Sequence, residues 1–165
     1  MTARGYVYGD HIDTDRIIPG KYTKTLDKKT LAQHVFEDLD PRLALQIKKG
    51  DILIAGENFG CGSSREQAAI AIKASGIALV AAKSFSRIFY RNAINVGLFV
   101  MEIKDHMIKE NGYFSFDMKK GELLDKQTNR VYKSSKLPPF LLAIVEAGGL
   151  CPYLKQHETF QLGRE

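Results

Sequence analysis

Three short apolar runs, DILIAG (51–56), IALVAAK (77–83) and LFVMEI (98–103), alternate with two stretches of helical spacing. Runs apolar at nearly every position suit strands buried on both faces, as in a parallel sheet. The intervening helices are expected from about Ser64 to Ala74, with Gly76 as a stop, and over SFSRIFYRNAIN (84–95), with Gly97 following. Strand, helix, strand, helix, strand at this spacing requires parallel pairing with right-handed crossovers.

The rest of the chain must fit around that unit. GYVYGD (5–10) reads as a short strand, and 11–27 as an irregular loop broken by Pro19 and Gly20. Residues 28–47 carry helical spacing, with Leu31, Val35 and Leu39 on one face; Pro41 divides the segment and can open a second helix. From Tyr113 the texture changes. YFSFDM, KKGELLDK and RVYKS suit short antiparallel strands, with turns at Lys120-Gly121 and Thr128-Asn129. PPFLLAIVEAGG (138–149) closes as a helix that Pro138 starts and Gly148 ends. The expectation is one α/β domain over 1–165, partly parallel, with a C-terminal antiparallel portion.

The chemistry is concentrated in GENFGCGSSREQA (56–68), where a strand ends in a glycine-rich loop that feeds a helix. Backbone N–H groups at a helix start favour an anion, and Gly60 and Gly62 permit angles that a side chain would block. The dinucleotide fingerprint fails because Arg65 occupies the third glycine position. The P-loop fails because no glycine stands five residues after Gly56, and the nucleophile elbow has no frame at Gly62-Ser63-Ser64-Arg65. What remains is a guanidinium suited to bidentate carboxylate binding and two hydroxyls. A plainer alternative is that Ser63 or Ser64 caps the helix.

Composition removes several other classes. The net charge of +5 comes from scattered lysines without a basic, aromatic-interleaved stripe, which argues against nucleic acid. No apolar run approaches the ~18 residues of a membrane span, and MTARGYVYGDHIDTD lacks a signal-peptide core. Cys61 and Cys151 are read as free thiols in a reducing cytoplasm. None of His11, His34, His106 and His157 forms a motif with Cys61. Asp10, Asp13 and Asp15 lack the glycine and glutamate of a calcium loop.

With DHIDTDRIIPGKY (10–22) and AKSFSRIFYRNAINVGL (82–98), the GENFGCGSSREQA block resembles the swivelling domain of the aconitase superfamily. The blocks look like those of one branch, the separate small subunit of 3-isopropylmalate dehydratase and its close relatives, including homoaconitase. The three blocks keep that family's order and spacing over essentially the whole chain; Gln67 stands where relatives often have histidine.

The resemblance implies a β/β/α swivelling domain that acts with a large subunit, as heterodimer or heterotetramer, in reversible dehydration of a small 2-hydroxy acid. A [4Fe–4S] cluster is expected on the large subunit and none on this chain, which has two cysteines where such a cluster takes three thiolates. Carried over, Ser63 is the base, Ser64 a substrate-contacting hydroxyl and Arg65 the carboxylate clamp. Gly60 and Gly62 shape the loop, and Asp15 orients a neighbour at its edge. Lys24, in Tyr22-Thr23-Lys24-Thr25 after the IIP block, faces the variable end of the substrate. A serine alkoxide at neutral pH lies roughly six pKa units uphill, about 8 kcal/mol, and a helix terminus supplies only about 0.3–2 kcal/mol. The isolated chain is therefore expected to be inactive. A non-catalytic organic-anion-binding module and a serine hydrolase are the readings from other classes.

Overall fold

The computed structural model describes residues 2–157. The expected domain, 1–165, therefore runs past the described residues at both ends. Seven strands form one sheet: β1 (Ala3–Val7), β2 (Ile52–Ala55), β3 (Leu79–Ala82), β4 (Phe99–Glu102), β5 (Gly112–Asp117), β6 (Glu122–Asp125) and β7 (Val131–Lys133). Their order is β4-β3-β2-β1-β5-β6-β7. The first four are mutually parallel, and β5, β6 and β7 continue from β1 antiparallel.

Seven helices accompany them: α1 (Thr14–Ile17), α2 (Lys28–Gln33), α3 (Leu43–Gln46), α4 (Glu66–Ala74), α5 (Arg87–Val96), α6 (Pro139–Glu146) and α7 (Leu150–His157). The expected order β2-α4-β3-α5-β4 is present, and the parallel pairing of β1 with β2 makes α1–α3 a further crossover.

Strand alternation sorts the core into two layers. Leu53, Ala55, Val80 and Ala82 face one side, where they meet Ile17, Leu31, Leu43, Ile72, Phe89, Ile144 and Tyr153 from all seven helices. Ile52, Ile54, Leu79 and Ala81 face the other, with Met101, Phe114, Leu123 and Tyr132 and no helical residue. These residues are buried without a helix above them because side chains of β5–β7 pack with those of β1–β4 in one cluster. The result is the β/β/α layering. Gly5 permits the close approach: a side chain there would come within 2.5 Å of the Phe114 ring. Each fully buried aliphatic side chain contributes about 1.5–3 kcal/mol, so these two layers dominate the fold's stability.

The helical spacing over 28–47, divided at Pro41 as expected, becomes two short helices, the first much shorter than its spacing implies. Asp27 caps α2, accepting from Thr30 N–H at 3.0 Å, and the helix ends at Gln33. Phe36 then takes a left-handed backbone (φ 59°) and donates its N–H to the Ile17 carbonyl at 2.8 Å. That conformation is costly for an aromatic residue. Complete burial of the ring, stacked 5.1 Å from Tyr8, offsets it. Two further differences stand out. The loop at 11–27 contains α1, capped by Asp13, and α7 follows Gly149, where the sequence had suggested no element. Among the described residues no helix is long and apolar enough to cross a membrane.

Candidate active site

In an open α/β sheet the place to look for a ligand is beyond the carboxyl ends of the parallel strands. Three segments leave that end here: 8–13 after β1, 56–65 after β2, and 83–86 after β3. They are the three sequence blocks of interest, and backbone hydrogen bonds lace them together. Gly56 N–H reaches Gly9 O at 3.0 Å, Gly60 N–H reaches Ile12 O at 2.7 Å, and Thr14 N–H reaches Cys61 O at 2.9 Å. On the other flank Phe59 N–H donates to Ser84 O and Ser86 N–H returns to Phe59 O, at 3.0 and 2.9 Å.

Side chains complete the lacing. Asp10 Oδ1 accepts from Glu57 N–H (2.7 Å), and Ser84 Oγ accepts from Asn58 N–H (2.8 Å). Ser86 Oγ donates to Gly60 O (2.6 Å), and Thr14 Oγ1 to Ser63 O (2.9 Å). Ser86 and Thr14 thus brace the loop; the Ser-Phe-Ser run at a helix start is the one local signal for Ser86.

Gly60 and Gly62 both have positive φ, 74° and 84°. At Gly60 the requirement is double, since a Cβ would lie 2.2 Å from the Phe89 side chain. The loop therefore arrives at α4 in a form that delays the helix. α4 begins at Glu66, not near Ser64, and its N-cap is Arg65, with extended backbone and no side-chain cap. This overturns the capping alternative for the serines. Ser63 and Ser64 precede the helix, are exposed, and their hydroxyls have no hydrogen-bond partner among the described residues.

Arg65 is held. Its Nη1 forms an ion pair with Asp15 Oδ1 and lies 3.5 Å from the Ile18 carbonyl oxygen. The guanidinium packs beside Gly20, where a Cβ would sit 3.6 Å from Nη1. Lys24 is exposed, on a loop tied to α4 by Gln67 Nε2 donating to Thr23 O at 2.9 Å. The structure thus brings Ser63, Ser64, Arg65, Asp15, Gly60 and Gly62 to one end of the sheet, with the Lys24 loop anchored alongside.

The base of that loop is fixed by Glu37, which sequence reasoning did not single out. Lys21 Nζ lies 2.6 Å from its Oε1, Tyr22 O–H donates to its Oε2 at 3.0 Å, and His34 Nδ1 also meets Oε2. The Tyr22 and His34 rings stack with centroids 4.0 Å apart. Hydrogen bonds from Lys21, then His34 and Tyr22, outweigh desolvation and pull the Glu37 carboxyl down to about 2.

The remaining nucleophile and metal possibilities are narrowed. Cys61 is half-buried, and desolvation followed by the neighbouring Asp13 pushes its thiol up, so it stays protonated at neutral pH. Among the described residues no hydrogen bond joins a histidine to Ser63, Ser64 or Cys61, and no three His, Cys, Asp or Glu side chains converge as a metal site.

The chain is similar to known proteins over most of its length. Residues 42–106 match the Aconitase C-terminal domain family model. The chain is 50% identical over 153 residues to the 3-isopropylmalate dehydratase small subunit 1 of Archaeoglobus fulgidus, covering 92% of this chain and 95% of that one. It is 48% identical to the 3-isopropylmalate dehydratase small subunit of Aliarcobacter butzleri over 156 residues, 94% of each. A crystal structure of 3-isopropylmalate dehydratase from Methanocaldococcus jannaschii superposes with a TM-score of 0.90 at 46% identity, covering 95% of this chain and 94% of that one.

The Glu37 cluster yields a pH prediction. Its folded value lies below the ordinary 4.5, so its contribution is present above about pH 4.5 and is lost as pH falls toward 2. Glu37→Gln should lower Tm by a few degrees at pH 7, the effect being modest because solvent screens the pair. The gap from wild type should close on acidification. A Tm difference constant from pH 6 to pH 2 would rule this out.

Proposed function

The chain belongs to the family of 3-isopropylmalate dehydratase small subunits, hydro-lyases of the aconitase type that act with a large subunit, and from that premise we propose how its own residues take part. The reaction interconverts 2-isopropylmalate and 3-isopropylmalate by loss and re-addition of water. Carbon-bound hydrogen leaves as a proton from one carbon while hydroxide leaves from its neighbour, and the return step exchanges the two positions. A [4Fe–4S] cluster, which we assign to the large subunit, would supply Lewis-acid chemistry for the departing hydroxyl. Two cysteines cannot provide the three thiolates of such a cluster, so this chain's contribution is proton transfer and substrate positioning.

Ser63 takes the proton, Ser64 hydrogen-bonds the substrate and Arg65 clamps a carboxylate. The observation that carries the reading is the convergence of the three blocks on one loop, with two hydroxyls that have no partner among the described residues beside a restrained guanidinium. Asp15 holds one edge of Arg65, which limits its rotamers and leaves further N–H donors of the fork for the substrate. Backbone donation to a developing oxyanion and exclusion of water must lower the cost of a serine base. In the isolated chain Ser63 is exposed and two residues ahead of the helix cap, so it is an ordinary alcohol. Docking of the large subunit over this end of the sheet removes that water. The division of labour makes each subunit inactive alone.

Lys24 supports a second reading of the substrate. An isopropyl group calls for apolar neighbours, whereas an exposed cation on the loop beside α4 suits a third carboxylate, as in homoaconitate.

Ser63→Ala should leave folding and assembly with the large subunit unchanged while turnover falls by several orders of magnitude, measured as kcat in the reconstituted enzyme. Near wild-type turnover, with the loss found in Ser64→Ala instead, would exchange the two assignments. Arg65→Lys keeps the charge but not the fork; kcat/KM should drop by a factor equivalent to more than about 2 kcal/mol. A loss below about threefold would make Arg65 a bystander. Lys24→Leu should reduce homoaconitate turnover and preserve or raise isopropylmalate turnover. Equal effects on both acids would remove Lys24 from substrate choice.

A further inference from the structure

Among the described residues, every polar partner of the Arg65 guanidinium lies in one stretch of chain. Asp15 pairs with Nη1, and the Ile18 carbonyl oxygen lies 3.5 Å from the same atom. A Cβ on Gly20 would stand 3.6 Å from Nη1 and 3.7 Å from Nη2, so the backbone there runs against the guanidinium. Residues 15–20 thus form a cradle for Arg65. A cradle made of one short helix and a loop is only as fixed as whatever holds it from outside.

That hold comes from residues 34–37. Phe36 N–H donates to Ile17 O at 2.8 Å. One residue on, Glu37 meets Lys21 Nζ at 2.6 Å through Oε1 and accepts from Tyr22 O–H at 3.0 Å through Oε2, where His34 Nδ1 also arrives. Tyr22 is further fixed between two groups. Its ring stacks on His34 with centroids 4.0 Å apart, and Lys21 Nζ lies 4.9 Å from its centre. Lys21 and Tyr22 complete the single helical turn Gly20–Tyr22. Phe36 and Glu37 therefore grip the chain at Ile17 and at Lys21-Tyr22, and the residues touching Nη1 and Nη2 at 18 and 20 lie between. Phe36 keeps its left-handed φ of 59° between the two grips. Strain of that kind persists where surrounding contacts over-determine the backbone.

The same turn is tied back to the helix that follows Arg65. Thr23 Oγ1 donates to Gly20 O at 2.7 Å, while Thr23 O accepts from Gln67 Nε2 at 2.9 Å. We propose that Glu37 is a positioning residue for Arg65: it fixes the Gly20–Tyr22 turn and, through it, the cradle that presents the guanidinium to a substrate carboxylate. The proposal rests on the assignment of Arg65 as the carboxylate clamp. A guanidinium ordered before the substrate arrives loses less freedom on binding. A clamp that grips the carboxylate equally in ground and transition states acts on KM and leaves kcat alone. A residue that only stabilises the fold would lower Tm and leave KM where it is.

A double-mutant cycle in the enzyme reconstituted with its large subunit, assayed on 3-isopropylmalate, separates these roles. Glu37→Gln should raise KM at least about fivefold and keep kcat within about twofold. In an Arg65→Lys background the same change should move KM by less than about twofold, because the group it positions is gone. Tyr22→Phe removes one hydrogen bond to Glu37 and keeps the stack on His34. It should raise KM by a smaller factor, and it decides the matter should Glu37→Gln fail to fold. In the isotope-labelled full chain, the Arg65 Nε–H order parameter should fall in both variants. An unchanged KM, a fivefold effect that persists beside Arg65→Lys, or an unchanged Arg65 order parameter would each overturn the proposal. If Arg65→Lys itself costs less than about threefold in kcat/KM, the clamp assignment fails instead. The order parameter alone then decides whether Glu37 positions that side chain.

Discussion

The site depends on how closely the loop after β2 can approach the start of α5. At Gly60 the backbone turns with φ 74° directly against the Phe89 side chain, where any Cβ would collide at 2.2 Å. That approach lets Gly60 N–H reach Ile12 O while Ser86 Oγ closes on Gly60 O from the other flank. One residue thus joins segments that follow three different strands. Phe89 is also a core residue, in edge contact with Phe59 at 5.1 Å, so the loop inherits the rigidity of the packed interior.

Rigidity is distributed unevenly around this loop, and the unevenness has a chemical logic. Its backbone and its guanidinium are restrained, by ladder-like hydrogen bonds and by Asp15. The neighbouring 21–25 loop is pinned at its base by the Glu37 cluster and at Thr23 by Gln67. The hydroxyls of Ser63 and Ser64 and the ammonium of Lys24 project without partners among the described residues. Positioning costs are thus met in the fold itself, while the groups meant to contact a second molecule remain available.

Helix packing shows the same economy away from the site. Lys73 of α4 extends beneath the ends of two other helices, donating to Val96 O at 2.6 Å and Gly148 O at 2.9 Å. Those carbonyls belong to helix C-termini, which lack intrahelical partners and carry partial negative charge. Gly97 and Gly149, both at positive φ, let the chains after α5 and α6 approach each other closely enough for one ammonium to serve both. Burial lowers the pKa of Lys73, the cost of placing a cation there.

The sequence alone determined the parallel unit of β2, α4, β3, α5 and β4, because strands buried on both faces must be apolar at every position and their helices must follow at fixed length. It also marked the three blocks around Asp15, Gly60–Arg65 and the start of α5, since glycine, serine and arginine in such density have few other uses. The tertiary structure decided what depends on contacts distant in the chain. The helical stretch expected before Pro41 ends early, and at Phe36 the core and Ile17 O, not local propensity, set the backbone. The helix after the serines starts at Glu66 because the loop is held by residues near 12–14 and 86. Glu37 and Lys73 were illegible for the same reason: each takes its character from partners that no local spacing reveals. Periodicity reports what one element buries, but only the folded chain brings a carboxylate or an ammonium to the groups that define it.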